Sequence, residues 1–420
     1  MFEAQELQHR PKPSVQRPAD PPLTDRLWRR IEGDFLQRFT NEWGGRAIVH
    51  GRPAGPDAIH LDGNDYLGLS GNPEIVNAIV QALKMDASFA IQSSAFLLDE
   101  HPARRLEKSL ACWLGKQDAM LCQSGYAANV GLLQAITDQD TPVYVDSLAH
   151  MSLWEGAHTA RAPAQPFRHN DPDHLERLLA SGGPGVVVVD AVYSTSGELC
   201  PLAEIVDVVE RYGSMVVVDE SHSLGTHGLG GRGLCSALGL ASRVHFITAS
   251  LAKAFAGRAG FFTVPHGLRN FMLLQSYPNI FSSCLLPHEV EGLSATLSLV
   301  QRADQQRLRL RANVRRLRDT LDKLGYPLAG SEQIISLVAG TESDAIKLRD
   351  TLEDHNIFGA IFCAPATSRK RAMVRLTVSA ALTDSEIDRV IEVAREIAPQ
   401  VKPWTWPAAR RAAVRSAAAA

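Results

Sequence analysis

Lys253 stands in "ITASLAKAFAGRAG" (247–260), a run of small, mostly uncharged residues. Ser250 lies three positions before it, and Gly257 and Gly260 follow closely. Most lysines lie on solvated faces among other charges. Small neighbours instead let other atoms approach the amine. Desolvation lowers an amine's pKa and makes it a nucleophile toward carbonyl carbon. A lysine in this setting suits covalent capture of an aldehyde.

Three further segments end apolar runs with polar residues. "VVVDESHS" brings Asp219 and His222, "VVVVDAVYSTSGE" brings Asp190 and Ser194, and "YVDSLAHMS" brings Asp146, His150 and Ser152. The lysine segment adds Thr248 and Ser250. Taken singly, each has an ordinary reading: an Asp after a strand caps a turn, a His fills a core, a Lys is a surface charge. What favours chemistry is their convergence on one sheet edge, where open parallel sheets bind ligands. A lysine for a Schiff base and a carboxylate to keep a ring nitrogen protonated are what pyridoxal 5'-phosphate (PLP) requires. At ~4 Å and an effective dielectric near 20, a carboxylate–pyridinium pair gains roughly 4 kcal/mol before desolvation. The phosphate needs N–H groups at a helix start. "LCQSGYAANVGLLQAI" (121–136) offers Ser124, Gly125 and Tyr126 at such a turn. Ser-Gly turns are common, so this segment alone decides little.

The elements that must hold these residues are legible in outline. Residues 142–146, 185–190, 215–220 and 244–250 read as buried strands. "PLAEIVDVVERYG" (201–213) reads as a helix between two of them, with Pro201 near its start and Gly213 past its end. Strand–helix–strand units of this kind build a parallel sheet covered on both faces. A helix is expected over 24–40, and one or two long, arginine-rich helices over 287–325. Strands at 333–339 and 373–379 and helices at 342–356 and 383–398 suggest a smaller α+β unit. Thr383 and Glu386 form a capping-box pattern. The fold class is therefore α/β: a large domain with a mostly parallel sheet, and a smaller C-terminal α+β domain. The expected division is an N-terminal arm and helix (1–60), a large domain (61–290), a small domain (291–400) and a flexible tail (401–420).

Bulk properties narrow the function. The 420 residues exceed one ordinary core. With 45% hydrophobic and 21% charged residues, the composition is that of a soluble globular protein. No apolar run approaches the about eighteen residues of a membrane span, and the polar, proline-rich start does not resemble a secretory signal. A net charge of −3 gives no general attraction for nucleic acid or acidic membranes. The six cysteines are scattered without a CxxC pair. This favours a reducing cytoplasm and predicts neither a disulfide framework nor a metal site.

"NDYLGLS" (64–70), "SGYAANVG" (124–131), "DESHSLGTHGLGGRG" (219–233) and "TASLAKAFAGRAG" (248–260) resemble, in order and spacing, the α-oxoamine synthases, fold-type-I PLP-dependent transferases. The resemblance covers about residues 25–400 and implies a seven-stranded sheet between helices. A closer resemblance, in "AHMSLWEGA", "HNDPDHL", "SYPNIFSSCLLP" and "FGAIFCAPATS", is to the branch that makes α-aminoketone or α-hydroxyketone quorum-sensing signals. Most members of the wider family carry Gly just before the lysine; Ala252 stands here, as in that branch. Nothing assigns a role to Arg258.

The resemblance implies Lys253 as the Schiff-base lysine, Asp219 as partner of the ring nitrogen, His222 as donor to the ring oxygen and His150 as the residue stacked on the ring. It implies Ser194 near the ring hydroxyl, and Ser124, Gly125, Tyr126, Thr248 and Ser250 around the phosphate. Ser282 and Ser283 would reach the phosphate from the other subunit of a homodimer. Arg375, with Asn64 from the first motif, would bind the carboxylate of the amino substrate. The implied activity is condensation of a medium-chain acyl-coenzyme A with S-adenosylmethionine or 2-aminobutyrate. Three other readings stay open: an aminotransferase or lyase, a biosynthetic member such as 8-amino-7-oxononanoate synthase or glycine C-acetyltransferase, and a non-catalytic PLP-binding regulator. Phe96, Tyr277 and Phe281 are candidates for lining an acyl channel.

Overall fold

The computed structural model describes residues 23–47, 51–85, 91–407 and 409. The arm over 1–22 and most of the tail lie outside them. Eleven strands are present among the described residues: β1 (Ile59–Leu61), β2 (Asp118–Cys122), β3 (Val143–Asp146), β4 (Ala164–Phe167), β5 (Val186–Asp190), β6 (Met215–Asp219), β7 (Phe246–Ser250), β8 (Gly260–Val264), β9 (Ile334–Gly340), β10 (Ile357–Phe362) and β11 (Ala372–Thr377).

Seven strands form the large sheet in the order β2-β8-β7-β6-β5-β3-β4. The pairs β7–β6, β6–β5, β5–β3 and β3–β4 are parallel, and β8 runs antiparallel to both its neighbours. The four consecutive valines of β5 explain its central place. Val187 and Val189 enter one apolar cluster, under the helices Pro172–Gly182 and Leu202–Arg211. Val186 and Val188 enter the other, under Gly125–Ile136 and Met151–Thr159. Strand side chains alternate faces, so a continuous apolar run fits only a sheet covered on both sides. Full burial of each such side chain contributes roughly 1.5–3 kcal/mol.

The small sheet runs β1-β10-β11-β9. β1 pairs parallel with β10, Ile59 facing Ile357, while β10, β11 and β9 are antiparallel. The boundary drawn at 60/61 thus cuts a strand, and the one at 290/291 cuts the helix Pro287–Gln301, which packs on the helix Pro73–Met85. The arginine-rich segment is two helices, Pro287–Gln301 and Asp304–Lys323. The expected N-terminal helix runs from Asp25 to Asn41 with a π-helical stretch at Ile31–Leu36. The Thr383/Glu386 capping box is formed. Part of the expected tail is packed: Val401, Pro403 and Trp406 are buried, and Trp406 lies against Tyr326 and donates to the Val401 carbonyl. The six cysteines are all free thiols. Among the described residues, no helix is long and apolar enough to cross a membrane.

Candidate active site

Strands β5, β6 and β7 end side by side, with Asp190 level with Asp219 and Asp219 level with Thr248. Beyond these ends lies a cavity of about 430 Å³. Eleven of the fourteen residues to which the resemblance gives a site role line it: Asn64, Ser124, Gly125, Tyr126, His150, Ser194, Asp219, His222, Ser250, Lys253 and Arg375. Asn129, Asp190, Val192, Ser221 and Phe362 complete the wall.

Three residues fall elsewhere. Thr248 is fully buried within β7, two residues before Ser250, and its hydroxyl has no hydrogen-bond partner. It faces the same side as Ser250 but one step deeper, so Ser250 alone reaches the cavity. Ser282 and Ser283 are exposed on the segment after the helix Tyr277–Ile280 and do not line this chain's cavity. Ser282 donates to the Pro278 carbonyl. Phe96, Tyr277 and Phe281 are also exposed and line no part of the cavity.

Lys253 sits on a loop closed at its base. Leu251 N–H donates to the Ala259 carbonyl at 2.8 Å and Gly257 N–H to the Leu251 carbonyl at 3.0 Å. The small residues around it are demanded by packing. A Cβ on Gly257 would lie 2.5 Å from Leu293 Cδ2, and one on Gly260 would lie 2.3 Å from the Ser124 carbonyl oxygen. A Cβ on Gly225 would meet that of Ala254 at 2.7 Å. Lys253 is half-buried, and its ammonium pKa is lowered by burial and by the charge of Arg375, with Asp219 opposing. The amine is thereby moved toward the neutral, nucleophilic form.

Asp219 is held from two sides. Ser221 N–H donates to Oδ1 at 2.8 Å, and Asn129 Nδ2 donates to Oδ2 at 2.7 Å and to Ser152 Oγ at 2.8 Å. Asp190 accepts from the His150 N–H at 3.1 Å. Burial pushes the Asp190 carboxyl well above the usual range, and the neighbouring Asp219 charge adds to this. His222 shares a hydrogen bond through Nδ1 with the buried Tyr66 hydroxyl. Burial holds the His222 pKa well below its ordinary value, reinforced by the charges of Lys253 and Arg375, so the ring is neutral. Burial also raises the Tyr66 phenol. A protonated phenol donating to Nδ1 leaves His222 Nε2–H as a donor into the cavity.

Ser124 caps the helix Gly125–Ile136 by accepting from Ala127 N–H, which sets the first turn of that helix against the cavity. Gly125 is required there: a Cβ would lie 2.6 Å from Ser250 Cβ and 2.8 Å from Ser250 Cα. His150 caps the helix Met151–Thr159 through Ser152, with its ring edge-on to Tyr126 at 6.4 Å. Arg375 is buried, donates to the Ser194 carbonyl at 3.0 Å and Asn64 Oδ1 at 3.1 Å, and lies 4.6 Å from the Phe362 ring centroid. Its Nε has no partner, and no carboxylate pairs with it among the described residues. A buried guanidinium without a counter-ion is costly unless a ligand supplies one.

These residues fit PLP. A half-buried lysine, a fixed strand-end carboxylate, a neutral histidine donor and a helix start share one cavity, and the orphaned Arg375 Nε leaves a donor for an anionic group. Fold and cavity together define a fold-type-I PLP-dependent transferase. The sequence profile of aminotransferases of class I and II matches residues 56–393, and the chain belongs to that family. It is 40% identical to the CAI-1 autoinducer synthase of Vibrio campbellii over 385 residues, 90% of this chain and 97% of that protein. It is 33% identical to the 8-amino-7-oxononanoate synthase of Anaeromyxobacter dehalogenans, over 85% of this chain and 91% of the other. The structure of a lysine-to-alanine variant of serine palmitoyltransferase from S. paucimobilis with a bound PLP–myriocin aldimine superposes with a TM-score of 0.83 at 25% identity, covering 90% of this chain and 99% of that one. The resemblance to α-oxoamine synthases is borne out.

Sequence reasoning passed over Asn129, Ser221 and Phe362. Asn129 had a readable signal: it stands four residues after Gly125, on the same helix face, in an otherwise apolar run. Phe362 had none, because β10 reaches the cavity only through the small sheet.

Proposed function

We propose that the protein is a PLP-dependent acyl-coenzyme A C-acyltransferase that makes an α-aminoketone precursor of a quorum-sensing autoinducer. It condenses a medium-chain acyl-coenzyme A with S-adenosylmethionine or 2-aminobutyrate. The observation that carries this reading is the convergence of Lys253, Asp219 and the counter-ion-free Arg375 on one cavity, in a chain that matches an autoinducer synthase over nearly its whole length.

PLP, when bound, supplies an electron sink beside the substrate's α-carbon. Lys253 would hold PLP, and its Nζ, when free, would take the substrate's α-proton. Asp219 would face the ring nitrogen, and Asn129 and the Ser221 amide fix its carboxylate in place. His222 would donate to the cofactor from Nε2, with Ser194 beside it, and His150 would pack against the bound cofactor. The Ser124–Gly125–Tyr126 turn and Ser250 would hold the phosphate. Arg375 grips the substrate carboxylate, and its bond to Asn64 Oδ1 fixes both side chains. Attack on the thioester joins the α-carbon to the acyl carbon, breaks the C–S bond and releases coenzyme A. In the simplest version the carboxylate then leaves as carbon dioxide.

The working unit is a homodimer. Its support is the exposed apolar surface of Phe96, Leu98, Tyr277 and Phe281 around Ser282 and Ser283. Isolated Phe or Leu on a surface is ordinary, but a cluster of this size marks an association face. Mass spectrometry of the product from purified holoenzyme, offered a panel of acyl-coenzyme A donors with each amine, tests the whole reading. An α-aminoketone bearing a medium acyl chain is expected from 2-aminobutyrate, and from S-adenosylmethionine, with loss of its methylthioadenosine group, an enaminone with the same chain. Transamination without free thiol release would overturn it.

A further inference from the structure

The helix Asp304–Lys323 carries six arginines, and they divide sharply. Arg307 pairs with Asp304 at 2.7 Å, Arg309 with Asp384 at 3.2 Å, and Arg316 with Asp388. Arg311, Arg315 and Arg318 do not pair with any carboxylate among the described residues. They stand at positions i, i+4 and i+7, which stacks them on one face.

That face lines a second cavity, of about 490 Å³, separate from the active site. Arg318 is half-buried in its wall and donates to the carbonyls of Ala329, Gly330 and, at 3.4 Å, Ile334. Leu310 and Val314 give the wall an apolar strip. Two carboxylates also face the space. Glu332 is taken up by His227 at 2.9 Å and by Ser331, and Asp319 lies on the same helix at the rim. Three like charges stacked on one helix face repel one another. A bound anion would remove that repulsion, and guanidinium forks match phosphate oxygens in pairs. The volume is that of a small-molecule site, and the apolar strip suits a ring or chain attached to the phosphate.

The far wall of this cavity is Gln333, whose Nε2 donates to the His222 carbonyl at 2.6 Å. Thr226, also on the wall, donates to the Ser223 carbonyl one residue on. The two cavities are therefore separated by the backbone that carries His222. We propose that the Arg311–Arg315–Arg318 cavity is a regulatory site for a phosphorylated small organic molecule, and that its occupancy is felt at His222 through Gln333.

The test uses PLP-loaded holoenzyme, so that the cofactor's own phosphate site is filled. Adenosine 5'-monophosphate, inorganic phosphate and adenosine are titrated by calorimetry at low and physiological salt, with the cofactor's visible absorbance followed in parallel. Adenosine 5'-monophosphate is expected to bind saturably and more weakly as salt rises. Inorganic phosphate should bind less tightly, and adenosine not at all. The double variant R311Q/R315Q changes two exposed side chains outside the active site. It should keep its basal turnover and lose at least about tenfold in affinity for the nucleotide. Saturating nucleotide should shift the cofactor absorbance of the wild type and not of the variant. Absence of saturable binding, or binding unchanged in R311Q/R315Q, overturns the site. Phosphate binding as tightly as the nucleotide overturns the organic part of the ligand, and binding without an absorbance shift overturns the link to His222.

Discussion

Asn129 donates to Asp219 Oδ2 at 2.7 Å, joining the helix that begins at the cavity to the end of the strand that carries the carboxylate. The same Nδ2 reaches Ser152, beside His150. One buried amide thus ties three walls of the site together. Replacing Asn129 with Leu leaves Oδ2 without that donor in a low-dielectric setting. The loss expected in kcat is about tenfold or more, with the cofactor's absorbance becoming pH-dependent as Asp219 loses support. A variant with normal turnover and an unchanged absorbance titration would show that Asp219 does not depend on Asn129.

Lys253→Ala removes the one lysine among the described residues that line the cavity. Reduction of the PLP-loaded protein with borohydride should fix a pyridoxyl group to the wild type and leave the variant unmodified by mass. Turnover should vanish. Persistent turnover in the variant would dismiss the role given to Lys253.

Gly125→Ala tests the phosphate turn without changing any polar atom. The added Cβ would meet Ser250 at 2.6 Å, and the atoms it meets include backbone, so the turn must shift. Reconstitution of apoenzyme should need about tenfold more PLP, since the helix-start amides no longer converge on one point. The fold itself should persist, which thermal unfolding of the apoprotein would check.

Arg375→Gln removes a buried guanidinium that has no carboxylate partner among the described residues. The KM for the amino substrate should rise by about tenfold to a hundredfold, with a smaller change in the KM for the acyl donor. Arg375→Lys should restore little, because a point charge cannot reproduce the bonds to the Ser194 carbonyl and Asn64. Equal effects on both substrates would move Arg375 out of the carboxylate site.

His169 offers a pH signature independent of catalysis. It lies between Asp146 at 2.9 Å and Glu198 at 3.3 Å. Burial lowers its pKa, but the two carboxylates outweigh burial and raise it from 6.5 to about 9. A raised pKa means the folded state holds the proton more tightly than the unfolded chain. The resulting stability is complete below about pH 6.5, where both states are protonated, and is lost as pH rises through about 9. At 1.36 kcal/mol per unit this amounts to roughly 3 kcal/mol. Urea midpoints of wild type and His169→Gln should therefore differ near pH 6 and converge near pH 10. A gap that is constant across that range would mean the ion pairs are not responsible.

The parallel core strands and the capping box were legible because their signals are local. Valine runs ending in Asp, and Thr383 followed by Glu386, state their own structure. β8 was not read, although "GFFTV" is apolar and β-branched, because it follows the small-residue loop directly without a turn signal. β1 has three residues and finds its partner near Ile357, a pairing no window of the sequence contains. The lining residues were found where a motif announced them. Thr248 was misjudged because alternation along β7 fixes its face but not its depth. Phe362 comes to the cavity only through tertiary assembly.

The pairing of Ile59 with Ile357 also sets an order of events during synthesis. The strands of the large sheet leave the ribosome between residues 118 and 264 and can join one another as they appear. β1 emerges before any of them, yet its edge stays open until nearly three hundred further residues have been made. Contacts of such sequence separation form late and at high loop-closure cost. A nascent chain stalled before β10 would thus hold a formed large sheet and an open early strand, with Arg375 not yet made. Such a chain could assemble the Lys253 side of the cavity before it owned the side that grips the amino substrate.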